Sequence, residues 1–223
     1  MPAAADLIAS LRAELAPLSA KIRDHPYLAS LASAAIPRDR LGLFAGEQYH
    51  IIKNDMRSFA LLLSRQHDDE LLRFLMGSVS YEAAAFEALF DFAAALGLTE
   101  ADLQAYEPLA GAHAYTAFLA LTAAYGAAAE MAAAFIIDLE GWGGNCRSIS
   151  RSLKERYGFD ALQVRFFDHF GAEDPEFEPR SLAVVATGLA SGDDPRTIRR
   201  TARLMLEYEL MFWDALYQAS IRQ

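Results

Sequence analysis

The sequence predicts a single all-α domain, a helical bundle over residues 1–223. Apolar residues recur at every third or fourth position almost throughout, which is the period of an amphipathic helix. We find no convincing strand pattern and no repeat of fixed period. Hydrophobic residues make up 53% of the chain, enough to bury a sizeable core and to exclude a disordered protein.

The N-terminal half is predicted to hold four helices and a short turn. Pro37 suits the first turn of the third helix, whereas Asp68 and Thr99 lie in patterns typical of helix caps. The first helix carries its leucines at helical spacing: Leu7, Leu11, Leu15 and Leu18. The predicted segments are 5–23, 27–35, 37–64, a helix that begins at 67–70, passes Phe92 and stops at Gly97, and a turn over 99–102.

The C-terminal half is predicted to hold six helices. The glycines around Trp142 predict a break over 141–144, after which Asn145 would cap the next helix. The run 191–195 supplies a stop, a cap and a first helical proline for the last helix. The predicted segments are 111–124, 126–140, 145–157, 160–171, 178–190 and a final helix from 195 through Tyr217.

The charge balance argues against nucleic acid and membrane partners. The formal net charge is −10, whereas binding to phosphates needs clustered Lys and Arg. Arg196, Arg199, Arg200 and Arg203 form one helical stripe, which is typical of a solvated face. No stretch approaches the roughly 18 apolar residues that span a bilayer, and we find no signal peptide.

The single cysteine, Cys146, fits a reducing compartment, and we expect a cytoplasmic protein. Cys146 follows the predicted glycine break, so it would lie near a helix N-terminus, where thiolates are favoured. We favour the interpretation that it is a small buried hydrophobic residue. The sequence holds no Gly-x-Ser-x-Gly elbow, phosphate loop or zinc-binding spacing.

One Glu-x-x-His pair in the chain bears on metal binding. Glu47 and His50 form one such pair on the predicted third helix, but carboxylate-bridged di-iron sites in bundles draw two pairs from two helices. The sequence therefore predicts no metal site and no cofactor.

Two tyrosines stand among polar neighbours, unlike most aromatic residues of the chain. Tyr49 lies in Glu47-Gln48-Tyr49-His50, and Tyr115 lies between His113 and Thr116. Buried tyrosines near an acid and an amide would form a pocket that stacks and hydrogen-bonds a flat heteroaromatic ring.

The run Tyr208–Tyr217 places a carboxylate beside bulky aromatic rings. Glu209 and Trp213 are four residues apart and share one face of the predicted last helix. An acid held beside aromatic rings can have its pKa raised, which suits proton transfer.

This ending resembles the C-terminal helix of the TenA family, the thiaminase-II and PQQ-synthesis-like proteins of heme-oxygenase-like fold. Further similarities lie in His25–Tyr27, in Glu47-Gln48-Tyr49 and in Tyr115-Thr116 after Pro108. The resemblance implies a homotetrameric helical bundle with one interior pocket per subunit for thiamine or its pyrimidine. It further implies that Glu209 is a proton-transfer residue and that Tyr49 and Tyr115 line the ring site.

The sequence departs from the thiaminase pattern at two positions. Asp138 stands where the family's nucleophilic cysteine is expected, and Cys146 comes eight residues later. Gln48 stands where an acid would pair with the aminopyrimidine, and an amide cannot take up a proton. Both departures argue against a reaction through a cysteine adduct.

Three hypotheses follow. In the first, the protein is a hydrolase-like enzyme in which Asp138 and Glu209 are paired carboxylates, and the ligand-binding residues are Gln48, Tyr49, Tyr115 and Trp213. In the second, it is a noncatalytic ligand binder or regulator of thiamine-related metabolism. In the third, it is a non-heme iron oxidase built on Glu47, His50, Asp138 and Glu209.

Overall fold

The computed structural model describes residues 2–222. This part of the chain contains ten α-helices and one 3₁₀ turn, which short loops connect. No β-strand occurs in this part, which confirms the predicted all-α class. The helices are α1 (Pro2–Arg23), α2 (Pro26–Ala32), α3 (Gly42–Leu63), α4 (Asp69–Ala95), α5 (Glu100–Ala105), α6 (Ala110–Tyr125), α7 (Ala128–Tyr157), α8 (Arg165–Gly171), α9 (Phe177–Ala190) and α10 (Pro195–Ile221), and the 3₁₀ turn is Arg38–Leu41.

Polar side chains begin several helices at the predicted caps. The Asp68 carboxylate accepts hydrogen bonds from the backbone N–H groups of Glu70 and Leu71, at 2.9 and 3.0 Å. Thr99 opens α5 with a capping box, and Asp194 accepts a hydrogen bond from the N–H of Arg196 at 2.9 Å. These contacts satisfy backbone donors that have no partner inside the helix.

The predicted break at residues 141–144 is wrong, because α7 is continuous from Ala128 to Tyr157. A Cβ atom on Gly143 would lie 3.0 Å from the backbone oxygen of Phe170, so this glycine permits the close approach of α8. Glycine is a poor helix former by about 1 kcal/mol, and tertiary packing here outweighs that local preference. Consequently Asn145 is a buried mid-helix residue rather than a cap.

Two predicted boundaries also differ from the structure. Pro37 precedes the 3₁₀ turn, so α3 begins at Gly42 instead of at the proline. Residues 161–164 form a turn, and α8 begins only at Arg165, so it is shorter than the predicted segment 160–171.

The long helices pack around a shared interior. α3 packs against α4 and α6, α10 packs against α6 and α7, and α8 and α9 cover α7. Burying one large apolar side chain stabilises the fold by about 1.5–3 kcal/mol. The largest fully buried side chains include Tyr27, Phe44, Phe92, Phe166, Phe167 and Trp213. Within residues 2–222, no helix is both long enough and apolar enough to cross a membrane.

Candidate functional site

A small chamber of about 40 Å³ lies between five of the long helices. Its polar lining consists of Gln48 and Asp55 on α3, Glu82 on α4, Tyr115 on α6, Asp138 on α7 and Glu209 on α10. Its apolar lining consists of Ile51, Ile52, Phe135, Leu139, Trp142, Phe170 and Phe212. None of these lining residues is Lys, Arg or His, so the described wall supplies four carboxyl groups and no basic side chain.

Glu209 is held by the tryptophan that shares its helix face. The indole N–H of Trp213 donates a hydrogen bond to Glu209 Oε1 at 3.0 Å, as expected for residues four apart. Both side chains are buried, and Trp213 packs against Tyr27, Phe44 and Trp142. Trp213 therefore does not line the chamber, and its part in the site is to hold Glu209 through this hydrogen bond. Burial and the nearby Asp138 raise the pKa of Glu209 well above its ordinary value.

Asp138 on α7 lines the same chamber as Glu209. The Tyr115 hydroxyl donates a hydrogen bond to Asp138 Oδ2 at 3.1 Å. Burial raises the pKa of Asp138 to about 6, against the opposing effect of its hydrogen bonds. Sequence reasoning placed these two carboxyls in one site although they lie on different helices, and the structure brings them together.

The remaining oxygens of this pair, Asp138 Oδ1 and Glu209 Oε2, are buried and receive no hydrogen bond from residues 2–222. The two carboxyl groups are within hydrogen-bonding reach of each other. Two carboxylates cannot donate to each other, so the pair forms this bond only when one of them holds a proton. Such a pair titrates as a unit and can both accept and donate a proton.

Asp55 and Glu82 form a second buried acidic pair that sequence reasoning missed. The Thr116 hydroxyl donates a hydrogen bond to Asp55 Oδ1 at 2.8 Å. Burial raises the pKa of Asp55 to about 8, and burial together with Asp55 raises the pKa of Glu82 well above its ordinary value. One signal for Asp55 existed, since it lies seven residues after Gln48 and thus on the same helix face. Glu82 lies in an alanine-rich segment and gave no comparable signal.

The structure separates the two predicted ligand-binding neighbours on α3. Gln48 is buried and lines the chamber. The Tyr49 ring instead packs against Phe86, with ring centroids 5.4 Å apart, and its hydroxyl accepts a hydrogen bond from Lys53 Nζ at 3.0 Å. Adjacent helical residues point about 100° apart, and the neighbours on α4 decide which of the two faces the chamber.

Cys146 lies in the interior of α7 rather than at a helix N-terminus. It is fully buried and does not line the chamber. Burial and the nearby Glu209 charge raise the pKa of its thiol well above the ordinary value, which opposes a nucleophilic role.

Glu47 and His50 also lie outside the chamber lining, so the structure does not join them to Asp138 and Glu209. Glu47 Oε1 instead accepts hydrogen bonds from the Tyr106 hydroxyl at 2.7 Å and from the Leu109 N–H at 2.8 Å. In the described part of the chain, no group of three or more His, Cys, Asp or Glu side chains is arranged to hold a metal ion.

A larger cleft of about 730 Å³ adjoins the chamber between α4, α7 and α9. Four residues line both spaces and separate them: Glu82, Phe135, Leu139 and Phe170. We call this larger space the outer cleft.

Solved structures with the same fold extend over nearly the whole chain. A TenA homologue from Pyrococcus furiosus is 23% identical, with 95% of this chain and 100% of that chain covered and a TM-score of 0.75. A domain of unknown function with a heme oxygenase-like fold from Shewanella denitrificans is 14% identical, with 94% and 91% covered and a TM-score of 0.80. A putative TenA-like thiaminase from Sulfolobus solfataricus is 14% identical, with 96% of each chain covered and a TM-score of 0.71.

These likenesses establish the heme-oxygenase-like fold that the sequence predicted. No curated protein matches the sequence significantly. The model of the TENA/THI-4/PQQC family matches residues 12–219, which is nearly the full length of the sequence. The chain therefore belongs to the TENA/THI-4/PQQC family.

Proposed function

We propose that the chamber and its mouth bind a small nitrogen heteroaromatic related to thiamine or its aminopyrimidine. The observation that supports this most strongly is the convergence of Gln48, Tyr115, Asp138 and Glu209 on one buried chamber. An amide, a phenol and two carboxyls can together donate to and accept from ring nitrogens and an amino group. Phe135 and Phe170 flank the opening towards the outer cleft, where the rest of a flat ring would stack.

We further propose that the Asp138–Glu209 pair performs hydrolysis without a cysteine nucleophile. Its ionised member accepts a proton from water while the water oxygen bonds to the substrate's methylene carbon. The carbon–nitrogen bond breaks, and the leaving nitrogen takes the bonding electron pair. The proton on the other carboxyl is available to that nitrogen if the leaving group needs one. The description of one structural neighbour as a putative TenA-like thiaminase is consistent with this reaction class.

Binding and turnover of chosen probes test this proposal. We expect 4-amino-2-methylpyrimidine to raise the melting temperature and thiamine to be hydrolysed by the wild-type protein. Glu209→Gln removes the titrating carboxyl but keeps the side-chain volume, so turnover should fall about 100-fold or more, as for loss of a general acid or base. Glu207→Gln is the matched control, because Glu207 pairs with Arg203 on the same helix and does not line the chamber.

Equal turnover in Glu209→Gln and Glu207→Gln would exclude the catalytic role. A noncatalytic binder is the second candidate, since Asp138 replaces the expected nucleophile and Gln48 replaces the expected acid. That candidate predicts stabilisation by the aminopyrimidine with no product from any thiamine-related substrate. Absence of any stabilisation would contradict both candidates.

A further inference from the structure

The chamber and the outer cleft differ greatly in size and share part of their lining. Their volumes are about 40 and 730 Å³, and Glu82, Phe135, Leu139 and Phe170 belong to the walls of both. A single water needs about 10–15 Å³ of such space, so the chamber has room for a group of two or three heavy atoms. A ligand larger than that extends beyond the chamber, and the outer cleft is the adjoining space that could take its body.

Acidic side chains dominate the polar part of the chamber wall. Asp55, Glu82, Asp138 and Glu209 come from four different helices, and each is more than nine-tenths buried. Two of their oxygens, Asp138 Oδ1 and Glu209 Oε2, are buried and receive no hydrogen bond from the described residues. The other titratable side chains nearby are Tyr115 on α6, which lines the chamber, and Cys146 on α7, which lies near Glu209.

A positively charged group is the complement of such a wall. Buried carboxylates are costly unless they are paired with a cation or protonated, and an ammonium group offers three donors. A neutral hydroxyl offers one donor and no charge, so it would leave most of the acceptors unsatisfied.

The outer cleft has a mixed lining, in which apolar side chains stand beside charged ones such as Arg73, Arg147 and Arg180. Phe59 on α3, Phe74 on α4 and Phe177 and Val184 on α9 contribute apolar surface to it. Burying such surface is favourable at about 25 cal/mol per Å². The chamber thus offers a cation-binding end, and the outer cleft offers apolar surface among charged side chains.

We propose that the protein binds an amphipathic amine, with its ammonium head in the four-carboxylate chamber and its apolar body in the outer cleft. Asp55 and Glu82 form a second head-binding pair beside Asp138 and Glu209, and they select a cationic head over a neutral one. This inference rests on the chamber being the binding site proposed above, but it concerns the charge and length of the ligand rather than the reaction.

Uptake of the ammonium head is coupled to release of a proton. Because burial raises the pKa of Asp55 to about 8, this carboxyl holds a proton at lower pH in the absence of a cation. The ammonium binds the ionised form, so a proton must leave below about pH 8. Affinity therefore rises with pH as long as a proton remains to be released, by up to about tenfold per pH unit for each proton. A neutral ligand has no such dependence.

Isothermal titration with 2-phenylethylamine and 2-phenylethanol tests this inference, since the two probes share a skeleton and differ in the head group. We expect the amine to bind about tenfold more tightly than the alcohol or better at about pH 8. The amine's affinity should fall about fivefold at about pH 7, and the alcohol's should not change. The heat measured in buffers of different ionisation enthalpy should show proton release for the amine alone.

Three variants test the binding of the ligand's head and the binding of its body separately. Asp55→Asn keeps an acceptor for Thr116 but removes the charge, so the amine should lose about tenfold in affinity at about pH 8 together with its pH dependence between about pH 7 and 8. Phe177→Ala should weaken the binding of both probes and leave the pH dependence of the amine intact. Glu87→Gln on the exposed side of α4 is the control and should change neither quantity.

Several results would overturn the inference. These are equal affinity for the two probes, an amine affinity that does not vary with pH, an unchanged pH dependence in Asp55→Asn, and binding of neither probe. Stabilisation by Mg²⁺ or Mn²⁺ with no response to the amine would assign the carboxyls to a metal instead. Each result is independent of the Glu209→Gln turnover assay, so failure of one proposal can be told from failure of the other.

Discussion

At the scale of single residues, hydrogen bonds from two aromatic side chains fix the orientation of two acids in the chamber. Trp213 donates to one oxygen of Glu209 and Tyr115 donates to one oxygen of Asp138, at 3.0 and 3.1 Å. Each acid keeps one buried oxygen that receives no hydrogen bond from residues 2–222, and the two carboxyl groups lie within hydrogen-bonding reach of each other. The result is a carboxyl pair that keeps a proton in the folded protein at a pH where free carboxyls are ionised.

The raised carboxyl pKa values predict that the fold loses stability as pH rises. The pKa of Asp55 is about 8 in the folded protein, and that of an aspartate in an unfolded chain is about 3.9. Between these values the unfolded chain binds fewer protons than the folded one, so the free energy of unfolding falls by about 1.4 kcal/mol per pH unit for this group. Below the lower value both states are protonated, and the effect disappears.

Asp55→Asn should therefore stabilise the protein at about pH 8 and have much less effect at about pH 5. Denaturant unfolding at both pH values measures this, with Glu87→Gln as a control at an exposed position. Equal effects at the two pH values would contradict the assigned protonation of Asp55. A stabilised Asp55→Asn would also show that its expected loss of amine binding does not come from unfolding.

At the scale of helices, close approach depends on glycines at particular positions. Gly46 on α3 lies against Tyr106, and a Cβ atom there would lie 2.5 Å from Tyr106 Cγ. The same tyrosine donates to buried Glu47, which in turn accepts from Leu109 at the start of α6. Gly46 thus allows the contact that fixes α6, the helix that carries Tyr115.

Gly46→Ala should destabilise the protein by about 1–3 kcal/mol through overpacking against Tyr106, partly offset by better helix propensity. Gly77→Ala on α4 is a matched control, since no atom lies within 4 Å of its added Cβ. That control should stabilise by about 0.5–1 kcal/mol. Thermal or denaturant unfolding of both variants checks the prediction, and a stabilised Gly46→Ala would refute it.

At the scale of the whole molecule, the expected homotetramer stays a prediction. α6 contains no Asp, Glu, Lys or Arg, and it exposes Leu121 by 55% and Tyr125 by 83%. Copies with a net charge of −10 repel one another, and an uncharged apolar face reduces that repulsion where they meet. We propose this face of α6 as a contact between copies of the chain.

Light scattering after size exclusion tests this contact. We expect a tetrameric mass for the wild type and a smaller mass for Tyr125→Glu, because a charge would be buried between copies that are already acidic. Leu162→Glu changes a residue that is 60% exposed outside α6 and should keep the wild-type mass. A monomeric wild type, or loss of assembly in the control alone, would refute the proposal.

The sequence by itself determined the helical class, most helix positions, the family and two of the chamber's acids. These follow from local signals, since helical periodicity, caps such as Asp68 and Asp194, and the Glu209–Trp213 spacing depend on residues close together in the chain. Local signals also led to the wrong break at residues 141–144, because they do not record that α8 packs on Gly143.

Only the tertiary structure decided which side chains share the chamber. It turned Tyr49 towards α4, buried Cys146 away from the lining, and added Asp55 and Glu82 to Asp138 and Glu209. The physical reason is that burial and the proximity of charges depend on how α3, α4, α7 and α10 pack. Burial and nearby charges raise the carboxyl pKa values. Both arise from residues that are far apart in the chain, so neither can be predicted from the sequence alone.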